Sequence, residues 1–427
     1  MTGTLNKPPG TSWLSVVGSA RHDRAARIFN VDLVACLVAI LLPWTTTGTT
    51  IAIGLFVIAV LFTDLRALPA SLSRPVSILP IALFAVALLG TLWSDAAWSV
   101  RLHAVGSTAK LLVLPLLIYH FERSPRGAWI FGAFLGSCTL LMLVSLIVAL
   151  EPSLSLKLYL SRGPYQVASG IAVRNYIDQS QEFALCALAL VYPVAMQFRA
   201  GKLRMAALLA LLAAAFLLNM MFVVVSRTTL VTLPVLIVAF ALLHLRLRAV
   251  LMIVGVIALV AAGTWSASPN LRATVGKFFG DYQATRVGNQ VSGMGSRLEF
   301  WRKSIHFWAN APLIGNGTGA TRGLFERAAQ GETGMRAEVV GDPHNQTLNV
   351  AVQWGVLGVV VLYAMWLAHL LVFRGEGFSN WVGMLVVVQN MLSSLFNSHL
   401  FDFSEGWLYV LGVGVAGGMT LAKRTES

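Results

Sequence analysis

The sequence predicts an all-α polytopic membrane protein with about twelve transmembrane helices and one large outer-side loop containing amphipathic helices. Three observations carry this. Of 427 residues, 57% are hydrophobic and only 11% charged, with a mean hydropathy of +0.74, whereas soluble domains carry about 25% charged residues. The apolar residues come in continuous runs of about 18 to 25, long enough to cross a bilayer as helices and without the alternation of a transmembrane β-barrel. Basic residues gather at alternate connections, the positive-inside pattern.

The first run starts near Val31 behind Arg21, Arg24 and Arg27, as expected of a retained signal-anchor helix. Spans are predicted over roughly 29–46, 48–64, 76–93, 99–119 and 127–150, then 179–198, 204–225, 228–245 and 249–267, and finally 345–372, 380–399 and 404–421. With the N-terminus cytoplasmic, the inner connections hold about half of the basic residues, among them Lys7, Arg66, Arg74, Arg123, Arg126, Arg199, Lys202, Arg246 and Arg374. The short outer turns "TTTGT" and "SDAAW" hold none. Both termini are therefore expected in the cytoplasm. The net charge of +13 is mostly a topology signal, which argues against nucleic acid as a partner. Cys36, Cys138 and Cys186 each lie inside an apolar run and read as small packed residues rather than disulfides or metal ligands. The domains follow: 1–267, a membrane bundle of about nine helices; 268–343, the large outer loop; 344–427, about three further helices.

Residues 268–343 depart from the charge rule, with Arg272, Lys277, Arg286, Arg297, Arg302, Lys303, Arg322, Arg327 and Arg336. Long translocated segments are exempt from that rule, and loops this long are usually functional or disordered. In "GSRLEFWRKSIHFWANAPLIGNGTG", Ser296 and Glu299 stand at capping-box spacing, and Leu298, Trp301, Ile305 and Trp308 at helical spacing. Pro312 with Gly315, Gly317 and Gly319 should end that helix, and Trp301, Phe307 and Trp308 suit the headgroup boundary. A second outer segment, 151–178, holds Lys157, Arg162, Arg174 and Asp178. Arg227, in the outer turn of "VVVSRTTLV", either snorkels to the interface or contacts an anion. Lys110 stands about 13 Å inside the fourth span, as a functional charge or one member of an ion pair within the bundle.

The chemistry concentrates at "GDPHNQTLNVAVQWGVLG", where His344 opens an apolar run on the predicted outer face. Histidine accepts a proton near neutral pH, and arginine matches phosphate oxygens two at a time. His344 with Arg227, Arg297 and further loop arginines points to transfer on a lipid-linked phosphate or pyrophosphate, the leaving charge held by guanidinium groups. Asp342 could accept a hydrogen bond from the imidazole and set its tautomer. The bland alternative makes His344 a helix-cap residue, with which Pro343 and Asn345 are compatible. Asp402 and Glu405 in "SHLFDFSEGW" are rival bases. His344 has no second histidine or carboxylate at i+3 or i+4, so no metal is expected. No phosphate-binding G-x-x-x-x-G-K-[ST] loop occurs, so neither ATP nor any cofactor is implied.

His344–Asn345, nine residues, then Gly355 and Gly358 resembles the H-[NSQ]-x9-G-x-x-G motif of the O-antigen ligase and polymerase superfamily. "SRTTL" and "SRLEFWRKSI…PLIGNGTG" resemble that group's two arginine-bearing motifs. The resemblance implies a GT-C-like, inverting, metal-independent glycosyltransferase in a bacterial inner membrane, its site facing the periplasm. It would move a glycan from undecaprenyl pyrophosphate to a hydroxyl of lipid A–core in lipopolysaccharide biosynthesis. His344 would be the base or position the acceptor, Arg227 and Arg297 would bind the pyrophosphate, and Asn345, Asp342, Arg174 and Lys110 are supporting candidates. A ligase is favoured over an O-antigen polymerase, and over a protein oligosaccharyltransferase, which commonly carries a further C-terminal domain where "AKRTES" stands here. The expected surroundings are the lipid-linked donor, the lipid A–core acceptor and membrane lipids, with the chain as a monomer. From a different class, a lipid-linked oligosaccharide transporter would account for the span number. It would more naturally show internal repeats and charges along a central cavity.

Overall fold

The computed structural model describes residues 24–156, 170–244, 246–273, 275–277, 280 and 293–426, with the side chains of 227, 243, 244, 293, 294, 425 and 426 also set aside. Lys7, Arg21, Lys157, Arg162 and Arg286 lie outside the described residues. Among the described residues the chain is all-helical, without a strand. The helices are α1 (Arg24–Leu41), α2 (Thr46–Leu61), α3 (Leu68–Leu72), α4 (Pro75–Leu89), α5 (Trp98–Ala109), α6 (Val113–Phe121), α7 (Gly127–Leu150), α8 (Tyr176–Ala189) and α9 (Val191–Arg199). They continue as α10 (Leu203–Phe222), α11 (Arg227–His244), α12 (Leu247–Ala267), α13 (Gly293–Asn310), α14 (Thr321–Ala328), α15 (Gln346–Val372), α16 (Phe378–Ser393) and α17 (Phe403–Glu426).

Every apolar segment picked out by hydropathy is helical. Six helical stretches are long and apolar enough to cross a membrane, by length and composition: Trp98–Phe121, Gly127–Leu150, Tyr176–Arg199, Leu203–Phe222, Leu247–Ala267 and Gln346–Val372. Shorter apolar helices cover Thr46–Leu61, Pro75–Leu89 and Thr228–Leu242. The chain is thus a multi-pass membrane protein. α6, α16 and α17 pack together at the centre, flanked by α1 with α2 and α7, and by α4 with α15. Their shared core runs through Phe56, Leu83, Leu114, Ile118, Phe183, Trp354 and Tyr409. α12 turns Leu251, Met252, Leu259 and Val260 outward, as a helix facing lipid does. Asp32 on α1 is fully buried, 2.7 Å from His120 Nε2 and 3.2 Å from Arg126 Nη1. Its loss would leave buried groups uncompensated, so it ties α1 to the α6–α7 corner.

Residues 293–343 fold onto the bundle. Phe300 and Phe307 of α13, Phe325 of α14 and Met335 form a second core with Val352 of α15. Phe307 is therefore interior rather than at a headgroup boundary, while Leu298 and Ile305 stay exposed and Trp301 and Trp308 half-buried along the other face. The expected capping box does not form. α13 begins a turn earlier, at Gly293, which leaves Ser296 inside the helix donating to Met335 Sδ at 3.1 Å, while the Glu299 carboxylate binds Arg302.

The glycines after α13 do more than stop it. α15 breaks at Gly355, φ 61°, which frees backbone groups that the 312–317 loop pairs. Asn316 N donates to Val352 O (2.9 Å), Gly317 N to Gln353 O (2.9 Å), Val356 N to Pro312 O (2.8 Å) and Leu357 N to Leu313 O (3.2 Å). A Cβ on Gly355 would stand 2.4 Å from the Leu313 carbonyl group, and one on Gly315 2.4 Å from Gln353 C. Two backbones can approach this closely only where neither carries a side chain. Thr318 completes the joint, donating to Ala87 O (2.6 Å) and accepting from Trp354 Nε1 (2.8 Å). Gly355→Ala is expected to destabilise the protein by about 2–4 kcal/mol, from the left-handed φ and the overpacked contact. The readouts are a lower thermal midpoint and faster proteolysis within 293–343. Wild-type values for both would show that the docked loop is not structurally important.

Candidate functional site

The candidate site lies where residues 293–343 meet the start of α15 and the α16–α17 turn. Asn345 caps α15: its Oδ1 accepts from Leu348 N at 3.0 Å, and its amide donates to Leu395 O at 3.2 Å. His344 is therefore not the cap. It precedes the cap with φ 56°, alone among described non-glycine residues in having positive φ, a conformation that usually needs local support. Asp342 supplies it, accepting from His344 N at 2.8 Å and from Ser398 Oγ at 2.7 Å. Asp342 thus holds the backbone, not the imidazole. The ring is held by Asn397, whose Oδ1 lies 2.7 Å from His344 Nδ1.

The orientation of this contact follows from the next one. Asn397 Nδ2 donates to Asp402 Oδ2 at 2.7 Å. An ionised carboxylate only accepts, so the Asn397 amide points its N–H₂ at Asp402 and its oxygen at His344. While Asp402 is ionised, Nδ1 therefore carries the imidazole proton and Nε2 keeps its lone pair. Nε2 has no hydrogen-bond partner among the described residues. Sequence reading missed Asn397 and Ser398, two neutral residues in a turn more than fifty positions from the histidine.

Phe300 sets its ring 6.0 Å from the His344 ring, and Trp301 Nε1 donates to His344 O at 3.4 Å. Arg297, half-buried, is three and four residues before these contacts, hence on the same face of α13 and one turn away. Elsewhere in the loop, Arg302 makes two hydrogen bonds to Glu299, Arg322 pairs with Glu326, Arg327 pairs with Asp95, and Lys303 donates to Arg336 O. The side chain of Arg227 lies outside the described residues. Its backbone opens α11, where Thr229 donates to Ser180 of α8 at 3.0 Å.

Lys110 and Arg174 converge on the same turn from below. Lys110 is buried in a short 3₁₀ segment between α5 and α6 and donates to the carbonyls of Phe401 and Asp402, so its partners are backbone groups of the turn that carries Asn397. Arg174 donates to Leu42 O at 3.1 Å and to Ser404, with Asp178 3.9 Å away. His399, Asp402 and Glu405 cluster beside them, with His399 Nδ1 3.6 Å from Asp402 and 3.4 Å from Glu405. Burial, then the charge of Glu405, pushes Asp402 up to about 7. The three offer ligand atoms within 4.8 Å of one another, a group that could hold a metal ion. Both ring nitrogens of His399 and Oε1 of Glu405 are buried without a hydrogen-bond partner among the described residues.

Residues 212–363 match the family model of O-antigen ligase. That stretch, about a third of the chain, contains Arg227, Arg297 and the His344–Gly358 motif. The match supports an enzyme of the ligase or polymerase kind. No curated protein matches the chain.

Proposed function

We propose that the protein is an O-antigen ligase, transferring a glycan from undecaprenyl pyrophosphate to a hydroxyl of lipid A–core at the periplasmic face of a bacterial inner membrane. In this reading all twelve apolar segments cross the membrane in a GT-C-like arrangement, both termini are cytoplasmic, and the reaction needs no metal. The observation that carries it is the imidazole of the family motif, held at Nδ1 by Asn397, open at Nε2 and touched by Phe300 and Trp301, which lie one turn of α13 from Arg297.

The acceptor hydroxyl gives its proton to His344 Nε2 as its oxygen attacks the anomeric carbon. The new C–O bond forms on the face opposite the breaking C–O bond to phosphate, which inverts the configuration. The pyrophosphate departs with the electron pair, and Arg297 and Arg227 hold its charge. Developing negative charge is where preorganised donors contribute most to rate. Arg174 and Lys110 position the turn that positions Asn397, and Asn345 fixes the start of α15.

The test is purified protein in detergent with a lipid-pyrophosphate glycan donor and lipid A–core, with EDTA present, the product identified by mass. Glycan-bearing lipid A–core is expected. A lengthened lipid pyrophosphate would instead make the protein a polymerase, no covalent product a transporter, and a rate restored only by divalent cation would overturn the metal-free reading.

A pH limb follows from Asp402. Above about 7 its carboxylate fixes the Asn397 amide, and so the proton on Nδ1. Below that pH it is protonated and can donate, the amide is free to turn its N–H₂ toward Nδ1, and the imidazole proton moves to Nε2, where it blocks the base. Transfer is therefore expected to fall as pH drops through about 7. Asp402→Asn should flatten this limb and lower the rate at pH 8 by about 10- to 100-fold, as loss of an orienting partner does. A wild-type pH profile in that variant would remove Asp402 from the mechanism.

A further inference from the structure

A cavity of about 610 Å³ opens at the other end of the bundle from His344. His344 precedes α15, whereas Arg374, on the cavity rim, follows the last turn of the same helix. The Tyr176–Arg199 stretch agrees: its start lies beside Arg174 and the site, and its end, Arg199, is on the rim. The volume lies in the range of ligand pockets, about 300–1,000 Å³.

Its walls are apolar and aromatic. Trp381 is fixed by donating from Nε1 to Leu188 O at 3.0 Å, with the Phe240 ring 4.9 Å and the Tyr192 ring 6.4 Å from its own. From Arg199 at the mouth to Leu188 at the deep end is about 16 Å along the helix, half of a hydrocarbon core of about 30 Å. The cavity is therefore as deep as one leaflet. Its rim is basic. Arg199 and Arg374 are exposed, and neither makes an ion pair among the described residues. Arg424 donates to Arg374 O at 3.3 Å, and the Lys423 ammonium borders Gly377. Glu376 is the acid on this rim.

We propose that this cavity binds one anionic phospholipid from the leaflet opposite the candidate active site, with an acyl chain along the Tyr192–Phe240–Trp381 wall and the headgroup phosphate between Arg199 and Arg374. A tail-shaped apolar slot fits any lipid. The excess of positive charge at its mouth selects a net negative headgroup over a zwitterionic one, because basic side chains at a membrane surface attract anionic lipid.

The experiment is native mass spectrometry of full-length protein released from nanodiscs of equal phosphatidylglycerol and phosphatidylcholine. Wild type should retain one phospholipid, enriched about fivefold in phosphatidylglycerol, the ratio that about 1 kcal/mol of headgroup attraction gives. Arg199→Gln with Arg374→Gln changes exposed side chains only, so the fold should persist and the enrichment drop to about one with the bound lipid kept. Ala241→Trp, which fills the cavity from α11, should remove the bound lipid. Equal retention of the two lipids by wild type, enrichment unchanged in the double glutamine variant, or retention unaffected by Ala241→Trp would each overturn the proposal.

Discussion

His344→Ala is expected to lower glycan transfer by about 10³-fold, the middle of the range for a positioned general base, while the protein remains folded in the membrane. The separation is possible because the structural duties around this position belong to other residues. Asn345 caps α15, Asp342 holds the turn, and Gly355 makes the helix break. Alanine at φ 56° bears a local cost of about 1–2 kcal/mol, so a second variant removes that ambiguity. His344→Asn suits the left-handed conformation yet offers no nitrogen base, and it should lose as much activity as the alanine variant. Transfer within tenfold of wild type in both, measured on purified protein with matched thermal midpoints, would exclude His344 as the base. An asymmetric result, with the asparagine variant active and the alanine variant not, would reduce the histidine to a conformational role.

The fold was legible because hydropathy and the lipid environment act on each segment alone: an apolar run in a bilayer must be helical to pair its own backbone. His344 stands out in the sequence for a similar reason, since its motif lies within a few turns of one helix. What the sequence hid was tertiary. Gly315 and Gly317 read as helix terminators by local rules, yet their use is to let one backbone hydrogen-bond into the break of another about forty positions away. Ser296 and Glu299 have capping spacing, but packing against Met335 and the pull of Arg302 give them other partners. Asn397 has no charge, no motif and no periodicity to mark it, although it sets the tautomer of the ring. Asp402 reads from the sequence as a rival base, whereas the structure connects it to the His344 ring through Asn397.

Arg297 carries the second large effect. Arg297→Ala is expected to lower transfer by about 10²–10³-fold, as removal of one transition-state donor does, and Arg297→Lys to recover little of it. Lysine keeps the charge but offers a single ammonium in place of a planar fork, so it cannot hold two phosphate oxygens at once. The neighbouring cations have other partners: Arg302 gives its Nε–Nη2 edge to Glu299, and Lys303 is turned to the Arg336 carbonyl. Arg302→Ala, on the same helix and equally cationic, should therefore stay near wild type, which separates a specific contact from a general field of positive charge. If Arg297 acts on the departing pyrophosphate, the loss falls on kcat as well as on donor KM, because the charge it stabilises is largest in the transition state. A loss in KM alone would place the guanidinium on the resting donor. Wild-type rates in Arg297→Lys would leave it as an interfacial arginine, and the leaving charge would then fall to Arg227, from the start of α11.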